Sequence, residues 1–241
     1  MLAYFVLQVK LTVNPNYRAS NGKLGSGHLT LYTDRYTILT MEETSEVKQI
    51  IMIKALGLFA AKGYEAVSVS ELTEAAGITK PTLYYYFGSK EGVFEAVAQS
   101  NYGWLNAIIS ESAVYNPKPQ SYFEDIYLTL SKLVSVYFSF AMENRDFYRI
   151  ILANSSMPPS SSVYDIVRKY HFIQFDIIDG MFRGMAKVHG NLKGKSKTLS
   201  WSLIGTVNSY IGLYFSEIAG NALNNKTVKE LVHQFMHGIY A

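Results

Sequence analysis

Cysteine is absent from the 241 residues. A disulfide framework, a thiol nucleophile and a Cys-ligated metal are therefore excluded. Long apolar runs are missing too. The longest candidate, over 203–215, is broken by Thr206, Asn208 and Ser209, well short of the ~20 residues a membrane-spanning helix needs. The start of the chain is not basic and precedes no small-residue cleavage site, so it does not read as a signal peptide. There is no Gly-rich loop closed by Lys-Ser/Thr and no G-x-S-x-G, the motifs of phosphate cradles and serine hydrolases. His28, His171 and His189 are scattered, whereas His233 and His237 have metal-ligand spacing. Gln234, however, stands where a zinc-protease motif needs Glu, and no third ligand lies in reach by sequence. No catalysis, metal or cofactor is expected, and a soluble cytoplasmic protein with no membrane partner is the simplest class.

What is present is a chain that is 49% hydrophobic, ample for a core, with an uneven charge. Residues 1–40 carry four basic side chains against Asp34; residues 41–100 carry five lysines against eight glutamates, a net of −3. Strand-like alternation marks Val9, Leu11 and Val13 and again 29–33, around a loop with Gly22, Gly25 and Gly27. From 45 onward segments of helical periodicity alternate with loops, among them 155–160 and 190–197. Helices are expected over 45–62, closed by Gly63; over 89–112, with Val93, Val97, Trp104 and Ile108 inward; and over 121–143, with Phe123, Ile126, Leu130 and Tyr137 on the apolar face. Others follow over 145–153, 162–189, 198–219 and 227–240. Gly57 inside the first helix costs roughly 1 kcal/mol against alanine, and close packing is the reason expected for it.

The stretch 67–90 organises the rest. Ser68 with Glu71 has capping-box spacing for a helix over 69–76. Gly77 fits a left-handed stop, Thr79 caps a second helix, and Pro81 sits in its first turn. Leu83 and Phe87 share a face that can pack on Leu72 and Ala76. Two short helices joined by a Gly turn describe a helix-turn-helix, whose second helix enters the DNA major groove. An ordinary helical hairpin has the same shape, so spacing alone leaves both open.

The segment 63–94, G-Y-E-A-V-S-V-S-E-L-T-E-A-A-G-I-T-K-P-T-L-Y-Y-Y-F-G-S-K-E-G-V-F, resembles the DNA-binding signature of TetR-type transcriptional regulators, G-Y-x-x-T-(S/T)-x-x-x-I-A-x-x-A-G-V-(S/T)-x-x-x-L-Y-x-Y-F-x-(S/N)-K-E-x-L. Val67 stands where Thr is usual, Thr73 replaces Ala, and Gly92-Val93 replace a more helical pair. The resemblance implies an all-α protein. An N-terminal three-helix helix-turn-helix DNA-binding domain over 41–92 would precede a C-terminal helical ligand-binding and dimerisation domain over 93–241. It implies a homodimer on a near-palindromic double-stranded DNA operator, released by a small-molecule effector, and most often a repressor. Because such proteins begin just before their first helix, Met41 is expected to be the natural initiator, or 1–40 a loose extension. A basic arm reaching the minor groove is the rival for 1–40.

On this view Lys80 and Thr82 read bases: Lys can donate to guanine, and Thr can meet thymine or a polar edge. Thr79 and Pro81 shape the tip of that helix. Tyr84, Tyr86 and Lys90 match backbone-contacting positions, with Tyr85 flanking; Ser68 and Ser70 touch phosphate from the preceding helix, and Lys48 faces the backbone. For Tyr86, packing beside Phe87 stays open as well. Trp104, Tyr137 and Phe175 are the expected wall of the ligand site, although both stripes of the 162–189 helix can equally be core. Gly205, Ser209, Gly212 and Ser216 fall on one stripe and allow close helix approach, placed here at the dimer seam, with packing inside one chain as the other possibility. The acidic charge of 41–100 predicts a shallow salt dependence of DNA binding. It also supports the alternative, a helical small-molecule or partner-binding protein that has lost DNA binding.

Overall fold

The computed structural model describes residues 35–121, 123–155, 157–217 and 223–238, with side chains from 46 onward. The chain divides into two units, Met1–Thr40 and Met41–Ala241; the expected strands at 9–13 and 29–33 lie outside the described residues. Among those described, all regular structure is helical. Helices α1 (Arg35–Lys62), α2 (Val69–Ala76) and α3 (Lys80–Phe87) are followed by α4 (Lys90–Ser112), α5 (Ile126–Glu143) and α6 (Arg145–Asn154). Then come α7 (Tyr164–Ala186), a single 3₁₀ turn (Gly190–Leu192), α8 (Ser196–Phe215) and α9 (Asn225–His237). None of these helices is long and apolar enough to cross a membrane.

Ile51, Ala55 and Phe59 of α1 meet Leu72, Leu83, Val93 and Phe94 in the core of the first three helices. Each such side chain contributes about 1.5–3 kcal/mol on burial. Phe59, Tyr64 and Phe94 add a ring cluster with centroids 5.1–5.5 Å apart. Helix α4 then leaves this cluster and packs on α5 and α7, while α7 packs on α8 and α5 on α9.

Several boundaries differ from the sequence expectation. Helix α1 starts at Arg35, ten residues before 45. Helix α5 starts at Ile126 rather than 121, because the chain before it wraps around the carboxylate of Asp125. Phe123 therefore lies outside the helix and is 70% exposed, not on its apolar face. The buried stripe of α4 is Val93, Val97, Tyr102, Leu105 and Ile109. Trp104 falls off this stripe and is 39% exposed, because the buried face rotates as α4 passes from the first three helices to α5 and α7. In α7, Ile178 rather than Ile177 is fully buried, and Phe172 is 57% exposed.

Gly57 is not explained by close packing: a β-carbon there would meet nothing within 4 Å. Gly57→Ala should therefore stabilise the protein by about 0.5–1 kcal/mol, read as a raised denaturant midpoint with unchanged slope.

Candidate nucleic-acid interface and the carboxy-terminal cavity

The turn between α2 and α3 is built by local chemistry. Ser68 Oγ accepts from the Glu71 amide at 3.2 Å, and Glu71 accepts from the Ser68 amide at 2.8 Å, a reciprocal cap. The hydrogen bond from Lys62, first, and those from Ser68 hold the Glu71 carboxyl down at about 2. Gly77 closes α2 in the left-handed region at φ 66°. Thr79 accepts from the Thr82 amide at 3.4 Å and shares a 2.8 Å hydroxyl contact with Thr82. The departures from the family pattern fit this module: Val67 is buried, and the buried Thr73 hydroxyl donates to the Ser70 carbonyl at 2.9 Å.

Leu83, fully buried, pins α3 from below. Its other side carries Lys80, Pro81, Tyr84 and Tyr85 to solvent, Tyr85 with 80% of its surface exposed. Thr82 is half-buried beside them. Tyr86 is partly buried, 5.1 Å from the Tyr85 ring and 6.4 Å from Phe87. Ser68 and Ser70 are exposed at the start of α2. Lys48 is exposed on α1 with its ammonium 5.7 Å from the Phe87 ring centre, at the far end of α3. Thus all eleven candidate DNA contacts from the sequence are at least partly exposed, ten of them on α1, α2 or α3 or at their caps.

The eleventh, Lys90, has an inward role. Its ammonium donates to the Tyr64 and Val67 carbonyls, both at 3.0 Å, and stands 4.2 Å over the Tyr64 ring. It ties the start of α4 to the link between α1 and α2. Gly92 is a position whose role the sequence did not disclose. A β-carbon there would collide with the Phe87 carbonyl oxygen, so glycine lets α4 start directly against the end of α3.

With Lys62 ion-paired to Glu71 at 2.6 Å and Lys90 turned inward, the lysines at 48, 54 and 80 are left to face a nucleic acid from 46–100. The log–log salt slope of DNA binding should then be no steeper than about −5 for two copies, at ~0.9 per phosphate neutralised. A slope near −10, measured by anisotropy across salt concentrations, would contradict this count.

In the carboxy-terminal half, a cavity of about 390 Å³ opens between the end of α6, α7 and α8. Phe175 lines it, stacked on Trp201 with centroids 5.5 Å apart and planes 29° from parallel. The structure does not bring the other two expected wall residues there. Tyr137 is fully buried in α5, its hydroxyl without a partner among the described residues. Trp104 packs on Phe140 at 5.1 Å. Polar lining comes instead from Arg168, His171, Gln174 and Asn208, which the sequence reading passed over. Gln174 had a legible signal: it occupies a helical-period position between Tyr170 and Ile178, where an apolar residue is due. The Tyr102 hydroxyl and His171 Nε2 are 3.0 Å apart, so α4 touches this side of α7 directly. Burial pulls the His171 imidazole below its ordinary pKa.

Of the small-residue stripe on α8, Gly205, Ser209 and Ser216 are exposed. Gly212 is partly covered, a β-carbon there reaching Leu152 at 3.9 Å. Ser209 and Ser216 donate back to the Gly205 and Gly212 carbonyls, which leaves the stripe low and smooth. Helix α9 buries Val228, Leu231 and Val232, while His233 and His237 are exposed with ring centres 4.7 Å apart. Among the described residues no three metal-ligating side chains cluster.

A capped two-helix turn presenting a polar, aromatic helix, joined to a larger helical body, is the arrangement of helix-turn-helix proteins. Residues 51–97 match the family model of bacterial regulatory proteins, tetR family. It is 27% identical over 124 residues to the HTH-type transcriptional regulator YuxN of Bacillus subtilis, a match covering 52% of this chain and 40% of that protein. It is 33% identical over 63 residues to IcaR, the negative regulator of the biofilm operon icaADBC in Staphylococcus aureus, covering 26% of this chain and 34% of that one. The chain thus spans less than half the length of these two relatives, both HTH-type transcriptional regulators. In fold it is similar to FadR of Bacillus subtilis, solved with stearoyl-CoA, at 16% identity and a TM-score of 0.64, over 80% of this chain and 99% of that one.

Proposed function

We propose that this protein is a transcriptional repressor that binds a near-palindromic operator as a homodimer and leaves it when a small molecule occupies the carboxy-terminal body. The observation that carries the reading is the exposed edge of α3, held rigid beneath by Leu83 and at its start by the Thr79 cap. In this mechanism Lys80 and Thr82 meet base edges, Lys80 as a donor to guanine. Ser68, Ser70, Tyr84, Tyr85 and Lys48 contact the sugar–phosphate backbone, with Tyr86 at the margin, and these contacts set register rather than sequence. Lys90 acts mainly by fixing α4 to the α1–α2 link. Two copies of α3 would sit about 34–36 Å apart, one turn of DNA, or somewhat more.

The exposed small-residue stripe of α8 supports a seam between two copies. Gly205, at the edge of the cavity, has open space where its side chain would be and permits close approach there. Gly205→Leu should shift the protein from dimer to monomer in sedimentation with little change in melting temperature. A mutant that stays dimeric would place the seam elsewhere. Ligand response is supported by the cavity and by the Tyr102–His171 contact, through which a change on α7 reaches α4 and so the angle of α3. Only a ligand with unequal affinity for the two arrangements can act this way.

The test is a gel shift with the promoter region upstream of the protein's own coding sequence. A discrete complex lost on Lys80→Ala supports the reading. Absence of any complex at micromolar protein would instead favour a helical binding protein that no longer reads DNA, the interpretation the acidic charge of 41–100 suggests.

A further inference from the structure

We propose that the cavity between α6, α7 and α8 takes an aromatic acid, its carboxylate paired with Arg168 and its rings laid against Phe175 and Trp201. This names a ligand class for the ligand-released reading above and rests on that reading only for the consequence for DNA. Arg168 carries the one formal charge among the residues lining the space, none of which is Asp or Glu. His171, also in the lining, is held by the Tyr102 hydroxyl, and its burial favours the neutral ring. Other polar groups there are engaged with the protein. Asn208 accepts from the Tyr148 hydroxyl at 2.7 Å, and Asn154 donates to the Ile150 carbonyl at 2.8 Å. The charge presented to a guest is therefore positive, and an anion is what it favours.

Arg168 is open to such a guest. Its guanidinium meets Asp165 through one nitrogen at 3.3 Å, and the Asp165 side chain is 84% exposed. A surface pair of this kind contributes little. A guest carboxylate whose body is already out of water can displace it, taking two donors at once in the bidentate geometry a guanidinium favours. The Tyr164 and Phe172 rings, with centres 5.6 and 5.9 Å from the guanidinium carbon, flank the cation. The body of the ligand follows from the walls. Phe175 and Trp201 form one stacked face, and Trp201 is 63% exposed, with room for a further ring against it. Seven residues of α7 separate Phe175 from Arg168, about 10 Å along the axis at ~1.5 Å per residue. A carboxylate on a fused ring pair, met by the reach of the arginine side chain, spans that gap. A coenzyme A thioester does not suit the site, because a single guanidinium faces the several phosphate charges such a molecule carries.

The experiment titrates the full chain by calorimetry with naphthalene carboxylate, with its uncharged carboxamide twin, and with decanoate, which keeps the charge on a flexible chain. The aromatic carboxylate should bind about tenfold or more tightly than either of the others. Arg168→Gln should lose about tenfold or more of that affinity and leave carboxamide binding within about twofold, at an unchanged melting temperature because the pair it removes lies at the surface. Trp201→Ala should weaken carboxylate and carboxamide alike. The proposal is overturned if the aromatic carboxylate does not bind, if the carboxamide or decanoate binds as tightly, or if Arg168→Gln leaves the affinity unchanged. Binding that meets these terms but leaves the promoter gel shift untouched upholds the site and overturns release by ligand. Failure of the aromatic carboxylate to bind, beside an intact gel shift, overturns this proposal alone.

Discussion

Gly92→Ala should weaken DNA binding by roughly five- to 150-fold, the equivalent of ~1–3 kcal/mol for forcing a methyl group into filled space. The obstacle is the Phe87 carbonyl oxygen, which is backbone and cannot swing aside like a side chain. Relief must come from moving the end of α3 away from the start of α4. That displaces Tyr84 and Tyr85 relative to the Lys90 tether, whose two 3.0 Å bonds fix α4 to the α1–α2 link. Helical content should stay constant by circular dichroism while operator affinity falls in anisotropy. Unchanged affinity and melting temperature together would mean that the α3–α4 joint has more slack than this contact implies.

The second large effect is expected at Asp125, far from DNA. Its buried carboxylate accepts from the Tyr115 hydroxyl at 2.6 Å and the Lys118 amide at 3.1 Å, and stands 2.6 Å from His189 Nε2. This one group holds the α4–α5 loop to the end of α7. Asp125→Ala leaves the Lys118 amide without its acceptor and Tyr115 and His189 with only their mutual 2.9 Å contact, and should cost about 1–3 kcal/mol, lowering the melting temperature by roughly 2–12 °C. Burial alone would raise this carboxyl's pKa; the Tyr115 bond, then the Lys118 amide and His189, outweigh it and leave it lowered. A lowered folded pKa stabilises above the unfolded carboxylate value of about 3.9, and that contribution is lost as pH falls through the folded value. The gap in melting temperature between parent and Asp125→Ala should therefore be full at neutral pH and close progressively below about pH 4. A gap independent of pH would mean that the side chain acts only by filling space.

How much of this was legible depended on distance along the chain. The caps at Ser68, Gly77 and Thr79 are chemistry between residues three to five apart, and each stands where spacing predicts. The helix-turn-helix therefore emerges from local rules. The Asp125 cluster unites Tyr115, Lys118 and His189 across 74 residues, and no periodicity announces it. The α4 stripe went astray at Trp104 because a helix serving two partners does not keep one inner line. Of the expected cavity wall only Phe175 faces the space found. Aromaticity alone does not distinguish a lining ring from a core ring such as Tyr137. Gln174 was the readable sign, a polar interruption in an apolar series. Gly57 was readable only as a cost, and Gly92 only as a departure from pattern.

The inward commitment of Lys90 and the pairing of Lys62 bear on how this protein would reach its site in a genome. Proteins gripping the backbone through many cations linger on any duplex and diffuse along it. With few cations turned outward, the described face offers little to hold random sequence, so dwell times off target are short. Search then proceeds by repeated encounters from solution. Occupancy would then depend on copy number and on steric match at the operator more than on a general grip of the backbone.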